Sequence, residues 1–302
     1  MAYRFKLSES LCDGVRRVAS ELLEKSMHVL TSTSVEQPVA VHEFRKNCKK
    51  LRGLLRLIRP KLGAIYELEN SWYRDIAREL SRARDAQVLV ETVDKLRGGS
   101  CSPRTTAACD HLRQKLEHRR REVVQDRAAL DKLLPRLAEL VSSARDRMQA
   151  WPLEESGFGL IGPGLKQIYR KGRKAYQQSL NDLTDERLHD WRKRTKDHWY
   201  HTRLLRSAWP TVMRARAMEL NKLGELLGED HDLAVLQWTL QEETDLCRSE
   251  KDRERIIRKV TSRKQRLRRR AFRLGELMFA ESPTALVTRL EAYWVAGVRF
   301  PT

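Results

Sequence analysis

Apolar positions recur at helical spacing along nearly the whole chain, and no run of alternating apolar and polar residues marks a strand. Read with the usual start and stop signals, the first half predicts helices at 8–31, 39–59, 63–82, 85–97, 103–130 and 135–150. The second half predicts them at 164–181, 185–208, 211–228, 231–247, 249–280 and 283–298. Pro60 and Pro210 are expected to close the helices before them, because proline has no N–H to give to the preceding turn. Ser102-Pro103 and Ser282-Pro283 are expected to open helices, a hydroxyl cap followed by proline in the first turn. The fold class is all-α, as two antiparallel helical bundles related by a pseudo-twofold.

One helix carries two patterns at once. Val41, Phe44, Cys48, Leu51, Leu55 and Ile58 follow each other at spacings of 3, 4, 3, 4 and 3, which is a core seam. His42, Arg45, Lys49, Arg52, Arg56 and Arg59 repeat that spacing one residue on, about 100° around the helix. No Asp or Glu occurs between Glu43 and Glu67. Solvated helix faces normally alternate acids and bases at i and i+4. The counter-charge for this stripe is therefore expected from a ligand.

The chain then repeats itself. Residues 189–206 lie 147 positions after residues 42–59, and 7 of the 18 aligned positions are identical. These are His42/His189, Arg45/Arg192, Lys46/Lys193, Lys49/Lys196, Arg56/Arg203, Leu57/Leu204 and Arg59/Arg206, of which one pair is apolar. Thr195, His198 and Thr202 stand where Cys48, Leu51 and Leu55 stood, so charge has drifted less than packing. The same offset places Asp85 of "LSRARDAQVL" on Asp232 of "LGEDHDLAVL". The halves run from about 5 to 150 and from 164 to 298, with a seam at 151–163 expected to be flexible.

Composition narrows the partner. The net charge is +19 with a pI near 10.0, which attracts polyanions: nucleic acid, an anionic membrane surface or inorganic polyphosphate. No segment has the 18 to 20 apolar residues of a membrane span, and the first residues lack the apolar core of a signal peptide. A soluble intracellular protein is expected, cytoplasmic, with polyphosphate granules or a eukaryotic nucleus compatible with the same charge. Cysteines at 12, 48, 101, 109 and 247 form no CxxC pair and read as small core residues. Two further acid-free stretches are "GPGLKQIYRKGRKAYQQSLN" at 162–181 and the ten Arg/Lys of 255–275. The second reads as spread around its helix, either a solvated face or a binding one.

H-x-x-R-K-x-x-K followed by L-(G/S)-x-x-(R/H)-D occurs twice: "VHEFRKNCKK" with "LSRARD", and "LHDWRKRTKD" with "LGEDHD". With the "IYRKGRKA" before the second copy, the chain closely resembles the CHAD family, the conserved histidine α-helical domain. Ser81 stands where that family usually has glycine, and Trp199 where it has a cation. The resemblance implies two four-helix bundles about a pseudo-twofold, a basic channel between them, and binding of inorganic polyphosphate without catalysis. It carries that role onto His42, Arg45, Lys46, Lys49, Arg52, Arg56, His189, Arg192, Lys193, Lys196, Arg203 and Arg206. It extends the role to Lys166, Tyr169, Arg170, Arg173 and Lys174.

Physical chemistry agrees with that implication. A linear polyphosphate has about one charge per residue and no base to read, so it needs a row of cations rather than a pocket. His42 and His189 beside bound phosphate are expected to have raised pKa values and to donate as imidazolium. The alternative partner is RNA or DNA held non-specifically. Against it, aromatic residues make up only 7% of the chain and no exposed pair sits among the cations for base stacking.

Other signals are weaker. "GFGLIG" at 157–162 matches GxGxxG but has no strand before it. His198 and His201 have metal-ligand spacing without a third ligand, and read as core or surface residues. Asp85 and Asp232 are expected either to cap the helices they begin or to orient a neighbouring His or Arg. No catalytic residue, cofactor or metal is expected.

Overall fold

The computed structural model describes residues 3–80, 82–98, 102–124, 127–154 and 157–300, with the side chains of 82–84, 123–124 and 127–132 left aside. Ser81 and Cys101, singled out in the sequence, lie outside the described residues. The helices are α1 (Leu11–Thr31), α2 (Gln37–Leu62), α3 (Ala64–Glu79), α4 (Arg82–Arg97), α5 (Pro103–Val124) and α6 (Arg127–Gln149). After them come α7 (Gly162–Asn181), α8 (Asp185–Leu204), α9 (Pro210–Glu242), α10 (Glu250–Met278) and α11 (Pro283–Arg299). No strand occurs among the described residues.

The helix starts follow the sequence signals more closely than the stops. Ser102 Oγ accepts the Thr105 N–H at 3.3 Å, and Ser282 Oγ accepts that of Ala285 at 3.1 Å. Pro60, by contrast, lies inside α2, and Pro135, expected to start a helix, lies inside α6. Both rings are exposed, where water can replace the lost N–H partner. Pro210 does not close α8, which ends at Leu204; it opens α9.

The second correction is larger. Residues 211–228 and 231–247, expected as two helices, form the single helix α9 to Glu242 and then a short 3₁₀ turn. The polar cluster Glu229-Asp230-His231 resembles a turn in sequence, yet each side chain has a tertiary partner. Arg263 donates to Glu229 at 2.7 Å, Arg268 to Asp230 at 2.7 Å, and His231 stacks on His189. The expected flexible seam is also packed: Phe158, Leu160 and Ile161 are buried around a 3₁₀ turn.

The same helix pairs touch in each half. α1 packs on α2 and α6, α2 on α3, and α4 on α5; α7 packs on α8 and α11, α8 on α9, and α9 on α10. Between the halves, α2 meets α7 and α8, α4 meets α9, and α5 meets α10. At the α2–α7 contact a Cβ on Gly164 would fall 1.8 Å from the Leu57 carbonyl oxygen, so only glycine allows the two backbones to approach.

The apolar seam of α2 faces this interior: Phe44, Cys48, Leu51, Leu55 and Ile58 are buried. Trp191, Thr195, His198 and Thr202 are buried at the matching positions of α8. Among these, Thr202 Oγ1 donates to the His198 carbonyl at 3.0 Å, whereas Thr195 Oγ1, His198 Nδ1 and Trp191 Nε1 are buried with no partner among the described residues. His201, also fully buried, places Nε2 3.0 Å from the Gly53 carbonyl and so ties α8 to α2.

Candidate functional site

Because the core seam fixes the rotation of α2, the cationic stripe one residue on is turned toward α3. Arg45 donates to the Ala77 carbonyl, and Arg52 Nε donates to Asn70 Oδ1 at 3.1 Å. Arg59 lies 2.7 Å from Glu67 and its guanidinium 4.5 Å above the Tyr66 ring. His42 and Lys49 are exposed at the surface, as is Lys46, which bonds Glu43 at 2.8 Å. Burial and the neighbouring Arg56 push Arg52 down to about 10, so it keeps its charge at neutral pH.

The α8 stripe lies against α9 in the same manner. Two glycines of α9 form its bed: a Cβ on Gly224 would sit 2.9 Å from Lys196 Cε, and one on Gly228 3.3 Å from Arg192 Nε. Lys196 Nζ reaches Asn221 Oδ1 at 3.3 Å and stands 4.7 Å over Trp199, while Arg203 covers the same ring at 4.6 Å. Trp199 thus replaces a cation with a plate that holds two others in line. Nε of Arg192 and Nε of Arg206 are buried and find no acceptor among the described residues.

The stripes come together where α2 crosses α8. Arg56 of α2 donates to Asp197 of α8 at 3.0 Å, and Arg194 approaches the second oxygen at 3.4 Å. Tyr3, in the segment before α1, fills the crossing: its hydroxyl donates to the Lys50 carbonyl at 2.9 Å, and Arg203 lies 5.5 Å from its ring. The Phe5 N–H fastens that segment to the Leu204 carbonyl at 2.8 Å. Lys50 is pushed down to about 8 by burial, Lys25 and Arg203. Burial presses the Asp197 carboxyl upward against the pull of Arg56, Arg194 and Arg52. The absence of acids along the α2 sequence is therefore partly made good in space, by Asp197 and Glu67.

The comparison with known families bears on this arrangement directly, since the match to the CHAD domain covers residues 16–241. The chain belongs to the CHAD domain family. No curated protein matches it in sequence. Both stripes and the helices beside them, α1 to α9, fall inside or nearly inside the matched span, whereas α10 and α11 lie beyond it.

Within this CHAD domain several expected site residues stand elsewhere. Tyr169 is fully buried, donates its hydroxyl to the Met278 carbonyl at 3.2 Å and meets His198 edge-on at 5.1 Å; it is a core residue, not a ligand contact. Lys166, Arg170 and Lys174 are exposed on α7, and Arg173 is partly buried. Lys193 is exposed on α8. Asp232 lies inside α9 rather than at the start of a helix; Asp85, exposed in the first turn of α4, is among the charges acting on His231.

His189, expected to be imidazolium beside bound phosphate, has a partner that sequence reasoning did not point to. Its ring lies 4.1 Å from that of His231, and burial, His231, Lys193 and Arg192 push its pKa down to about 4. Burial and Arg192 lower His231 as well. Both rings are neutral at pH 7 in these surroundings.

Sequence reasoning missed Asp197, His231, Gly224 and Lys171. Lys171 feels Arg59, Arg194 and Asp197, which places it beside the crossing rather than on the outer face of α7. His231 carried a signal, since the 147-residue offset aligns it with Arg84. No group of three His, Cys, Asp or Glu side chains suited to a metal occurs among the described residues, and no described helix is long and apolar enough to cross a membrane.

Proposed function

We propose that this CHAD domain binds inorganic polyphosphate, laying the linear anion along the α2 and α8 stripes and across their crossing. The observation that carries the reading is the shared construction of the stripes. Each is fixed in rotation by a buried seam, laid on the following helix, and brought to the same crossing through Arg56, Asp197 and Arg203. Arg192 and Arg206, whose Nε groups lack an acceptor among the described residues, can turn their guanidiniums to phosphate oxygens. On this reading the halves are repeats about a pseudo-twofold and the basic surface between them is the family's channel. The protein holds its ligand and does not turn it over.

Nucleic acid is the weaker reading. Trp199 is already engaged by Lys196 and Arg203, and Tyr3 lies within the crossing, which leaves these two rings poorly placed to stack on a base. Two measurements test the choice. Long-chain polyphosphate should displace a labelled RNA readily, and RNA displacing polyphosphate would overturn the proposal. Affinity should fall roughly 10³-fold or more between 50 and 200 mM salt if six or more phosphates are neutralised, and a flat response would exclude the stripes as the site.

A further inference from the structure

Helix α10 lies beyond the family match, yet residues 255–275 hold ten Arg/Lys and no acid. In the fold seven of these cations, from Arg263 to Arg273, separate into two sets. Those turned inward are neutralised individually: Arg263 by Glu229 at 2.7 Å, Lys264 by Asp185 at 2.9 Å, and Arg268 by the buried Asp230 at 2.7 Å and by Asp185. Arg266, Arg269, Arg270 and Arg273 turn outward. They occupy i, i+3, i+4 and i+7 of one face, and none has an acidic partner among the described residues. The basic run is spread around the helix, but its unpaired arginines within 263–273 share one side.

At the Arg269 edge of that face is an open groove of about 650 Å³, lined by Leu183, Phe272, Arg269 and Gln237 and by Asp185 with its partners Lys264 and Arg268. Its apolar floor is firm. Phe272 stacks at 5.4 Å on the buried Trp191, and Leu183 stays 49% exposed in the turn before α8. Unpaired arginines alone would suit any polyanion. An apolar floor that meets this row of arginines at Arg269 suits a ligand that brings carboxylates and a hydrophobic side chain together.

We propose that the outer face of α10 is a docking surface for an acidic protein segment, whose carboxylates meet Arg266, Arg269, Arg270 and Arg273 while one apolar anchor enters the groove between Leu183 and Phe272. Arginine forks grip carboxylates with two bonds each, which fits a peptide better than a lysine face would.

The test is panning of a random displayed dodecapeptide library against the full chain with long-chain polyphosphate present in excess. Enriched sequences should combine several acids with one large apolar residue. Their affinity should drop at least tenfold in the R266E/R269E/R270E variant and severalfold in Leu183→Asp, while both variants keep wild-type helicity and bind polyphosphate within about twofold of the parent. The proposal is overturned if nothing enriches, if acid-only sequences bind as well as anchored ones, or if the triple reversal leaves peptide binding unchanged. It is also overturned if an RNA oligonucleotide displaces the peptides more effectively than unlabelled peptide does. Loss of polyphosphate binding in the triple variant would merge this face with the polyphosphate site and remove it as a separate surface. Failure of the stripes to bind polyphosphate leaves the peptide result standing.

Discussion

Arg56 and Asp197 meet at 3.0 Å across the junction of the two halves, one from the cationic stripe of α2 and the other from α8, where the repeat would place the counterpart of Lys50. The carboxylate is 6% exposed and holds Arg194 as well. It is a resident anion in the middle of a surface built to attract one. It keeps the crossing together when empty and competes with the ligand for Arg56 and Arg194. Replacing it with asparagine should therefore separate two properties. Asp197→Asn is expected to lower stability by about 3 kcal/mol, because Arg56 loses a buried partner, and to tighten polyphosphate binding severalfold. Denaturant melts and titration calorimetry on the same preparation check both; weaker binding in the folded variant would show that Asp197 only positions the arginines.

The glycines under the α8 stripe offer a complementary separation. Gly224→Ala places a methyl group 2.9 Å from Lys196 Cε and must displace that side chain. Alanine also favours helix over glycine by about 1 kcal/mol. The variant should be as stable as the parent or slightly more so, yet bind polyphosphate several times more weakly. Unchanged affinity would remove Lys196 from the site.

Affinity should also depend on pH, with a definite sign. In the empty protein His189 is neutral above about pH 4, and Lys50 loses its proton near 8. A bound polyanion favours the charged form of both, so binding takes up protons and strengthens as pH falls. Between pH 9 and pH 6, at constant ionic strength and with chains long enough that end groups matter little, a gain of about tenfold is expected. Calorimetry in two buffers of different ionisation heat should register the uptake. His189→Gln should flatten the profile below pH 7; an affinity that rises with pH would contradict the assignment.

A second pH effect belongs to the fold. His201 is fully buried and pushed down to about 3 by burial, against the pull of its bond to Gly53. The unfolded chain protonates this ring below about 6.5 and the native one does not, so stability falls as pH drops from 6.5 toward 3. At pH 5 the loss from this one group is about 2 kcal/mol. His201→Gln, which keeps a donor for the Gly53 carbonyl, should reduce the acid sensitivity seen in denaturant melts at pH 5 and 7.5; an unchanged slope would assign it to other groups.

Much of this was legible in the sequence, for physical reasons visible in particular residues. The seam Phe44–Ile58 and the stripe beside it were readable because one helix rotation satisfies both, and burial of the first fixes the second. The echo at 189–206 was readable because charge was kept while packing changed. Misreadings arose where a residue's reason lay outside its own helix. Asp230 and Glu229 resembled a turn because their partners are arginines 38 and 34 positions later on α10. Tyr169 was grouped with the cations around it although its ring fills the core beside His198. Asp197 passed for an ordinary acid in a basic run, since nothing local indicates that Arg56 arrives from 141 residues away.

The central claim is that the α2 and α8 stripes act together on one linear polyanion, and charge reversal at equivalent positions tests it most directly. Long-chain polyphosphate should be titrated into the parent, into Arg45→Glu and Arg192→Glu singly, and into the double variant, with helicity measured on each. Each single reversal is expected to weaken binding by at least tenfold and the double to abolish it, all with parental helicity. A folded double variant that binds polyphosphate like the parent would contradict the account.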